Sequence, residues 1–273
     1  PFAFDGLQRF QLQDQLLNNA LRAGPDQARA AMAATLDRLA GSGDLPLAPF
    51  TEGSRNSLLI PLSQPLDQYF QLLAECGEPQ AQQEIRLQAG PLLIEDWLTD
   101  LRESDNGPVR LLLVTGKLKE RWNKLCAAWA LHLLACAGGL PLTSELIAQD
   151  GRAELPPLPA EQARAHLEQL ARAWREGLCR PLPVACATAF AWLAGEQKDR
   201  QETDARKAFE SGFSHVGEGD KDAALKRAWP DFDTLLAARD NADEPQPALA
   251  LWAQRLYAPL YAHCQWHEPG EPQ

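Results

Sequence analysis

The amino-acid sequence predicts an α/β fold in which a helical lead-in precedes a mixed sheet flanked by helices. Three observations support this prediction. The first 40 residues carry apolar side chains at helical spacing, residues 83–115 contain short strand-like pieces separated by turn residues, and further helical patterns follow them. Because strands with flanking helices must bury their apolar faces against each other, this order indicates one α/β core.

Two helical patterns open the chain. Residues 8–21 place Phe10, Leu12, Leu16, Leu17 and Leu21 on one face, and residues 25–39 form a second, alanine-rich pattern that begins at Pro25. Both segments are therefore predicted to be amphipathic helices.

A loop at residues 41–53 is expected after the second helix. The third helical segment, residues 54–76, is predicted to be helical only in parts, since Pro61 and Pro65 each remove a backbone donor and clash with the preceding turn. Residues 1–80 are thus expected to form a mainly helical lead-in packed on the core.

The strand-like region carries two clear turn signals. Residues 83–101 partly alternate between apolar and polar side chains around a turn at Gly90-Pro91, and the sequence Ser-Asp-Asn-Gly-Pro at 104–108 marks a second turn. The Val/Leu run at 109–115 is typical of a strand buried on both faces. An apolar helix is then expected over residues 120–137, ending at Gly138-Gly139.

Residues 150–193 combine proline punctuation with one strong amphipathic pattern. Asp150-Gly151 predicts a polar turn, and prolines at 156, 157 and 159 precede a helix that ends at Gly177. The predicted buried face of that helix consists of Ala163, Leu167, Leu170, Ala171 and Trp174. Pro181 and Pro183 then favour an extended path into a second short helix at 187–193, so the first helix is expected to connect two extended segments.

The core is expected to span residues 81–266, including C-terminal helices, and to be followed by a flexible tail at 267–273. The 273 residues are 45% apolar, enough to bury a substantial core. No apolar run reaches the roughly 18 residues of a membrane span. The sequence has no initiator methionine and is interpreted as a fragment of a longer chain.

Six widely spaced cysteines, four of them among Ala and Leu, favour buried thiols in a reducing compartment. The cytoplasm is therefore the expected location. His263, Cys264 and His267 could suit zinc, but a second ligand pair is missing nearby, so no metal site is predicted there.

The net charge of −11 argues against a surface that coats nucleic acid generally. Its distribution is uneven, because residues 107–131 hold five cations against Glu120. Four of these cations are candidate DNA-binding residues: Lys117, Lys119, Arg121 and Lys124. The alternative interpretation is that they decorate a solvated turn and helix start.

A second mixture of basic and aromatic side chains lies near the C-terminus. Arg206, Lys207, Arg227 and Trp229 are predicted to contribute to a subunit interface, where Trp and Arg are common anchors, although DNA contact would also suit them. The Gly-Glu-Gly-Asp sequence at 217–220 is interpreted as a loop, since its acids would repel phosphate and its spacing differs from a P-loop.

Several pieces of the chain, in the correct order, resemble the C-terminal region of RecC subunits, the gamma subunits of exodeoxyribonuclease V helicase-nucleases. The resemblance lies in DGLQRFQL (5–12), DLPLAPFTE (44–52), LPPLPAEQARAHLEQLARAWREGLCRPLPV (155–184), AFAWL (189–193), ARKAFESGF (205–213), with GEGD and RAWPDF following up to 232, and ALWAQRLYAPLYAH (250–263).

This resemblance implies a nuclease-like fold of the PD-(D/E)xK type that has lost its chemistry. It also implies a non-catalytic role beside RecB and RecD subunits, which would use ATP and Mg²⁺, and contact with duplex and split single-stranded DNA in the complex. No cofactor is expected in this chain.

An active nuclease of this type would hold an acid on one strand and an acid-x-lysine on the next, so that the carboxylates gather Mg²⁺. The candidate strand at 92–100 offers Glu95, Asp96 and Asp100. The strand at 109–119 has Leu and Val where the second acid should be, and neither Lys117 nor Lys119 follows an acid by two positions.

No catalytic residue is therefore predicted. The alternative is a metal-dependent nuclease with a rearranged site built from Glu95, Asp96 or Asp100.

Overall fold

A computed structural model describes residues 4–46, 48–119, 121–213, 215–241 and 243–269. The N-terminal part contains α1 (Gly6–Ala23), α2 (Ala28–Ser42), α3 (Thr51–Ala74), β1 (Gln83–Ala89), β2 (Leu92–Leu98), β3 (Leu101–Ser104), β4 (Gly107–Leu113) and α4 (Trp122–Ala137). The remainder contains β5 (Thr143–Ala148), β6 (Gly151–Leu155), α5 (Ala160–Gly177), α6 (Cys186–Glu196), α7 (Gln201–Phe209), α8 (Glu218–Lys221), α9 (Ala223–Ala228), α10 (Phe232–Ala237), α11 (Ala248–Leu256), α12 (Ala258–His263) and β7 (Gln265–His267).

The first three helices form a unit with its own apolar cluster. Asp5 begins α1 with a capping box, in which its carboxylate accepts from the backbone N–H of Gln8. Leu16 of α1, Leu36 of α2 and Leu62 of α3 are almost completely buried in this cluster. The helical periodicity of the sequence therefore predicted the first two helices correctly, to within a few residues at their ends.

The predicted break in the third helix is wrong, because α3 runs from Thr51 to Ala74 through both Pro61 and Pro65. Each proline leaves one carbonyl without its helical donor. Leu58, Leu62 and Leu66 on the same helix are buried against α1 and α2, and this packing offsets the local loss. The predicted loop at 41–53 is correspondingly shorter, since α2 ends at Ser42 and α3 begins at Thr51.

The strands form two separate sheets. β1 and β2 pair antiparallel as a hairpin whose turn is at Gly90-Pro91, as predicted. The second sheet has the order β3-β4-β5-β6-β7, in which β4 and β5 are parallel and the other pairs are antiparallel. Helix α4 makes the crossover that the parallel pair requires. The observed class is α/β with helices and a mixed sheet.

Helices cover both faces of the five-stranded sheet. On one face, Leu72 near the end of α3 packs against Val109, Leu111 and Ile147. On the other face, the apolar side of α4 packs against Leu146 and against α5. The inner strand β4 is therefore enclosed between two helical layers, as its continuous apolar sequence predicts.

β5 and β6 form a hairpin at residues 143–155, where no strand was predicted. Gln149 and Asp150 form its turn, one residue before the predicted Asp150-Gly151, and Gly151, the first residue of β6, has φ +133°. A Cβ atom at Gly151 would lie 2.5 Å from the carbonyl oxygen of His267 in β7. The close approach of β7 to the start of β6 therefore requires glycine at position 151.

Four further predictions are corrected in detail. Trp174 is 57% exposed, although Ala163, Leu167 and Ala171 of the same predicted face are buried. Glu218–Lys221 is a helical turn rather than a loop. Only one of the two segments joined by α5 is a strand, β6. The predicted tail at 267–273 begins inside β7, while residues 270–273 lie outside the described part.

The Gly-Glu-Gly-Asp segment caps a neighbouring helix. Glu218 accepts hydrogen bonds from the backbone N–H groups of Ala187 and Thr188 in the first turn of α6, at 2.9 and 2.8 Å. A Cβ at Gly217 would lie 2.3 Å from the backbone of Phe209 and Glu210, so this close approach requires glycine. Glu218 therefore has a structural role, because it caps the start of α6.

Candidate functional site

The candidate site lies where the parallel strands β4 and β5 end. Ligands of α/β proteins commonly bind beyond the carboxyl ends of such strands. The connection at 114–121 leaves β4 here, and its Val114 N–H donates to Ile147 O at 2.8 Å. The N–H of Gln149 in turn donates to Gly116 O at 3.1 Å, so backbone bonds tie the connection to the end of β5.

Asp150 fixes the same connection through its carboxylate. It accepts from the backbone N–H groups of Leu118 and Lys119, at 2.6 and 2.9 Å. Thr115 donates its hydroxyl to Asp14 of α1 at 2.9 Å, which anchors the connection to the helical lead-in. Charge-assisted bonds of this kind hold a loop in one conformation.

The structure brings the four candidate DNA-binding residues to this connection and the first turn of α4. Lys119 Nζ lies 2.7 Å from Glu268 and 4.5 Å from the ring centroid of Trp266. The Arg121 guanidinium lies 4.7 Å above the ring of Phe10. Lys117 and Lys124 are exposed. Lys119 and Arg121 are therefore also used in contacts within the chain.

The start of α4 adds to the positive potential of this edge. Arg121 is its N-cap, and among the described residues no side chain caps the helix. Unpaired backbone N–H groups and the helix dipole both favour an anion at such an end. Lys117, Lys119, Arg121 and Lys124 form, with this helix start, a basic edge of an acidic chain, although Asp150 already accepts hydrogen bonds from two amides of the connection.

The acids proposed for a rearranged nuclease site lie elsewhere, on β2 and just after it. Glu95 pairs with Arg86 of β1 at 2.7 Å, and Asp96 accepts from the N–H of Trp97 at 2.8 Å. Asp100 has φ +60° and accepts from the hydroxyl of Thr99 at 2.8 Å. All three carboxylates are exposed.

Arg110 of β4 interacts electrostatically with two of these acids, Asp100 and Asp96. Burial lowers the pKa of its guanidinium, while the charges of Asp100 and Asp96 act in the opposite direction. Its Nε donates to Thr99 O at 3.2 Å. The charges of Asp100 and Asp96 therefore act on a cation of the chain itself.

The strands that an active site would require do not pair. Ile94 of β2 pairs with Leu87 of β1, whereas Leu112 of β4 pairs with Leu146 of β5. Leu112 and Val114 pack against the main apolar cluster. In the described ranges, no group of three or more His, Cys, Asp and Glu side chains is arranged to hold a metal ion.

His263, Cys264 and His267 have separate partners. His263 Nε2 lies 2.6 Å from Pro156 O, and His267 Nε2 lies 2.9 Å from Glu154. The sulfhydryl of Cys264 contacts the carbonyl oxygen of Gln265 at 4.0 Å.

The four candidate interface residues fall into two pairs. Arg206 binds Asp233 at 2.6 Å and lies over the ring of Phe232, and Trp229 donates its indole N–H to Leu182 O at 3.2 Å. Lys207 and Arg227 are exposed. An interface role for the four stays a prediction, and two of them also hold the C-terminal helices together.

Sequence reasoning missed Asp150, Glu268 and Trp266 as parts of the candidate site. Asp-Gly is a general turn signal, and strands could have been sought on either side of it, where the structure has β5 and β6. The contacts of Glu268 and Trp266 join positions more than 100 residues apart in sequence, which local patterns do not encode.

The comparisons with known proteins agree with the resemblance. A model of the family described as the RecC C-terminal domain matches residues 1–197. The chain belongs to this family. It is 30% identical over 280 residues to the protein named RecBCD enzyme subunit RecC of Escherichia coli strain K12. That match covers 96% of this chain and 22% of the relative, so the chain spans about a fifth of the relative's length.

No helix among the described residues is long and apolar enough to cross a membrane.

Proposed function

We propose that this chain is a non-catalytic C-terminal domain of a RecC-type subunit in a bacterial helicase-nuclease that processes double-strand DNA breaks for recombinational repair. In this proposal it holds RecB- and RecD-type partner subunits together and shapes the path of the DNA strands. The family match and the identity to a protein named as a RecBCD enzyme subunit support the assignment. The partner subunits supply ATP hydrolysis and Mg²⁺-dependent cleavage, in the cytoplasm.

The single observation that carries the non-catalytic role is the apolar end of β4. In this proposal Leu112 and Val114 take the place of the second acid on the candidate strand, and both pack against the main apolar cluster. The charges of Asp96 on β2 and of Asp100 just after it act on Arg110 of β4. We interpret the fold as nuclease-like and catalytically degenerate, because two-carboxylate metal catalysis needs convergent acids.

Incubation of the chain with linear DNA and Mg²⁺ or Mn²⁺ tests the absence of chemistry. We expect the DNA to stay intact, both with the parent chain and with Asp96→Ala. Degradation that Asp96→Ala abolishes would establish the rearranged nuclease instead.

Reversing charges at the basic edge tests whether this chain shapes the path of the DNA strands. We expect Lys117→Glu, Lys119→Glu and Arg121→Glu together to weaken DNA binding about tenfold or more at low salt, since removing phosphate contacts lowers affinity and flattens its salt dependence. Circular dichroism checks that loss of the Arg121–Phe10 contact leaves the fold intact.

The matched control reverses three exposed cations near the predicted interface, Lys207, Lys221 and Arg227. This variant is expected to bind DNA like the parent and to assemble more weakly with partner subunits. Equal DNA binding by the edge variant and the parent would remove the edge from the strand path.

A further inference from the structure

A cavity of about 420 Å³ opens beside the basic edge, between the start of α4, α6, α12 and β7. Four aromatic side chains contribute to its lining: Trp122, Phe190, Tyr261 and Trp266. Trp122 and Phe190 are stacked, with ring centroids 4.1 Å apart and planes at 11°. Lys119 is the charged residue of the described lining.

We propose that this cavity receives one unstacked base of single-stranded DNA, whose neighbouring phosphates lie along the basic edge. The proposal rests on the proposed function and names the ligand of its DNA edge. Base–aromatic stacking beside a positively charged groove is the general means by which proteins hold single strands without reading sequence. Cavity and edge are continuous, because Lys119 and Trp122 line the cavity within the basic segment itself.

The chemistry of the lining favours a base over a protein side chain. Apart from Lys119, the described lining side chains are aromatic, aliphatic or thiol. Such a lining can stack on the face of any base but provides few hydrogen bonds to the edge of the base. The cavity also opens where three of the seven lysines of an acidic chain lie within eight residues. An apolar anchor from a partner protein gains nothing from that concentration of charge, whereas a phosphate backbone does.

Glu268 is the acid that opposes a phosphate at this mouth. Its ion pair with Lys119 is solvent-exposed, with 45% and 58% of the two side chains accessible. Exposed pairs are weak and screened by salt, so Lys119 can exchange this carboxylate for a phosphate at small cost. Removing the carboxylate should therefore strengthen binding of a single strand.

Filling the cavity tests the proposal without removing any core side chain. Ala194 is an exposed residue of α6 that lines the cavity, and Ala194→Phe places a ring in it. Fluorescence anisotropy with a labelled oligo(dT) strand should show about tenfold weaker binding, the effect of losing one stacked base. Ala33→Phe, at an exposed position of α2, is the matched control and should bind like the parent.

Two further measurements locate the base and test the opposing acid. Oligo(dT) carrying one 5-iodouracil should crosslink on irradiation to peptides that contain Trp122, Tyr261 or Trp266, and Ala194→Phe should abolish these crosslinks. Glu268→Gln should bind oligo(dT) more tightly than the parent, by a few-fold at low salt, and this gain should vanish as salt rises.

Three outcomes would overturn the inference. If Ala194→Phe binds oligo(dT) normally and crosslinks map elsewhere, the cavity does not hold a base, although the chain still binds single-stranded DNA. If Ala194→Phe leaves DNA binding unchanged and weakens assembly with partner subunits, the occupant is a protein side chain. If the parent chain binds no single strand, the inference falls together with the DNA part of the proposed function.

Discussion

The two sheets of this molecule use the same kind of ion pair in opposite ways. In the β1–β2 hairpin, Arg86 and Glu95 meet at 2.7 Å with 67% and 52% of their side chains exposed. In the five-stranded sheet, Arg152 and Glu145 meet at 2.5 Å with only 9% and 11% exposed. The hairpin pair lies in water, where pairs contribute little, whereas the sheet pair is a structural element of the core.

The comparison extends to other acids of the five-stranded sheet and of its β5–β6 turn. Glu145 binds Arg152, Glu154 binds His267, and Asp150 binds the amides of Leu118 and Lys119. These carboxylates are committed to positions within the chain. Glu95 and Asp96 of β2, in the other sheet, remain exposed. The difference teaches that these acids of the larger sheet are held by partners within the chain, whereas the acids of the hairpin lie open to solvent.

Breaking the buried pair should have the largest effect. Arg152→Met leaves Glu145 buried without its partner, and we expect a loss of about 3–5 kcal/mol in the free energy of unfolding. Burial already raises the pKa of Glu145 in spite of Arg152. Arg86→Met in the hairpin is the matched variant and should cost less than about 1 kcal/mol. Urea unfolding of both variants measures the difference.

Replacing both partners separates a buried charge from lost packing. The double variant Glu145→Leu and Arg152→Met should recover much of the stability lost in Arg152→Met, since an apolar pair of similar volume often substitutes well. Equal losses for Arg152→Met and Arg86→Met would mean that the two sheets do not differ in this way.

His132 provides a pH-dependent test of the same sheet. It lies on α4, with Nδ1 3.1 Å from Ser144 Oγ of β5 and Nε2 3.1 Å from Pro156 O. Burial, reinforced by the nearby His263, lowers the pKa of His132 to about 4. Above pH 6.5 the imidazole is neutral in both the folded and the unfolded chain, so it exerts no pH effect there.

Between pH 6.5 and about 4, the unfolded chain binds a proton on His132 that the folded chain does not. Stability should fall as the pH falls through this window, by about 3 kcal/mol in all. Urea unfolding between pH 4 and 8 should show a smaller decline for His132→Gln. The exposed His215 serves as the control position, and His215→Gln should keep the parent's pH dependence. Parallel curves for the parent and His132→Gln would contradict the assignment.

The helical lead-in was more predictable than the sheet, for a physical reason. Its cluster joins Leu16, Leu36 and Leu62, each of which repeats on a local helical period that the sequence displays directly. The proline-containing α3 departs from local rules because tertiary packing outweighs two missing hydrogen bonds. The sequence therefore predicted that the three helices exist, but it did not predict that α3 continues through both prolines.

The sheet depends on pairings between distant segments. β7 pairs with β6 across more than 100 residues, and its three residues have no strand signal of their own. β5 was not predicted because Ser144 and Glu145 are residue types typical of the surface. Both are nevertheless buried, Ser144 beside His132 and Glu145 beside Arg152. The basic edge was recognised from its composition, while its clamp by Asp150 and its neighbouring cavity required the fold.

Loosening the edge of the sheet should have the smallest of the three effects. Asp150→Ala removes the acceptor of the Leu118 and Lys119 amides, and we expect a loss of about 2 kcal/mol in the free energy of unfolding. The matched variant Asp105→Ala, in the exposed β3–β4 turn, should cost less than about 0.5 kcal/mol. Hydrogen exchange at Leu118 and Lys119 should accelerate in Asp150→Ala alone. Unchanged exchange there would show that the backbone bonds from Val114 and Gln149 suffice to hold the connection, and the contrast between committed and exposed acids would then rest on Glu145 and Glu154.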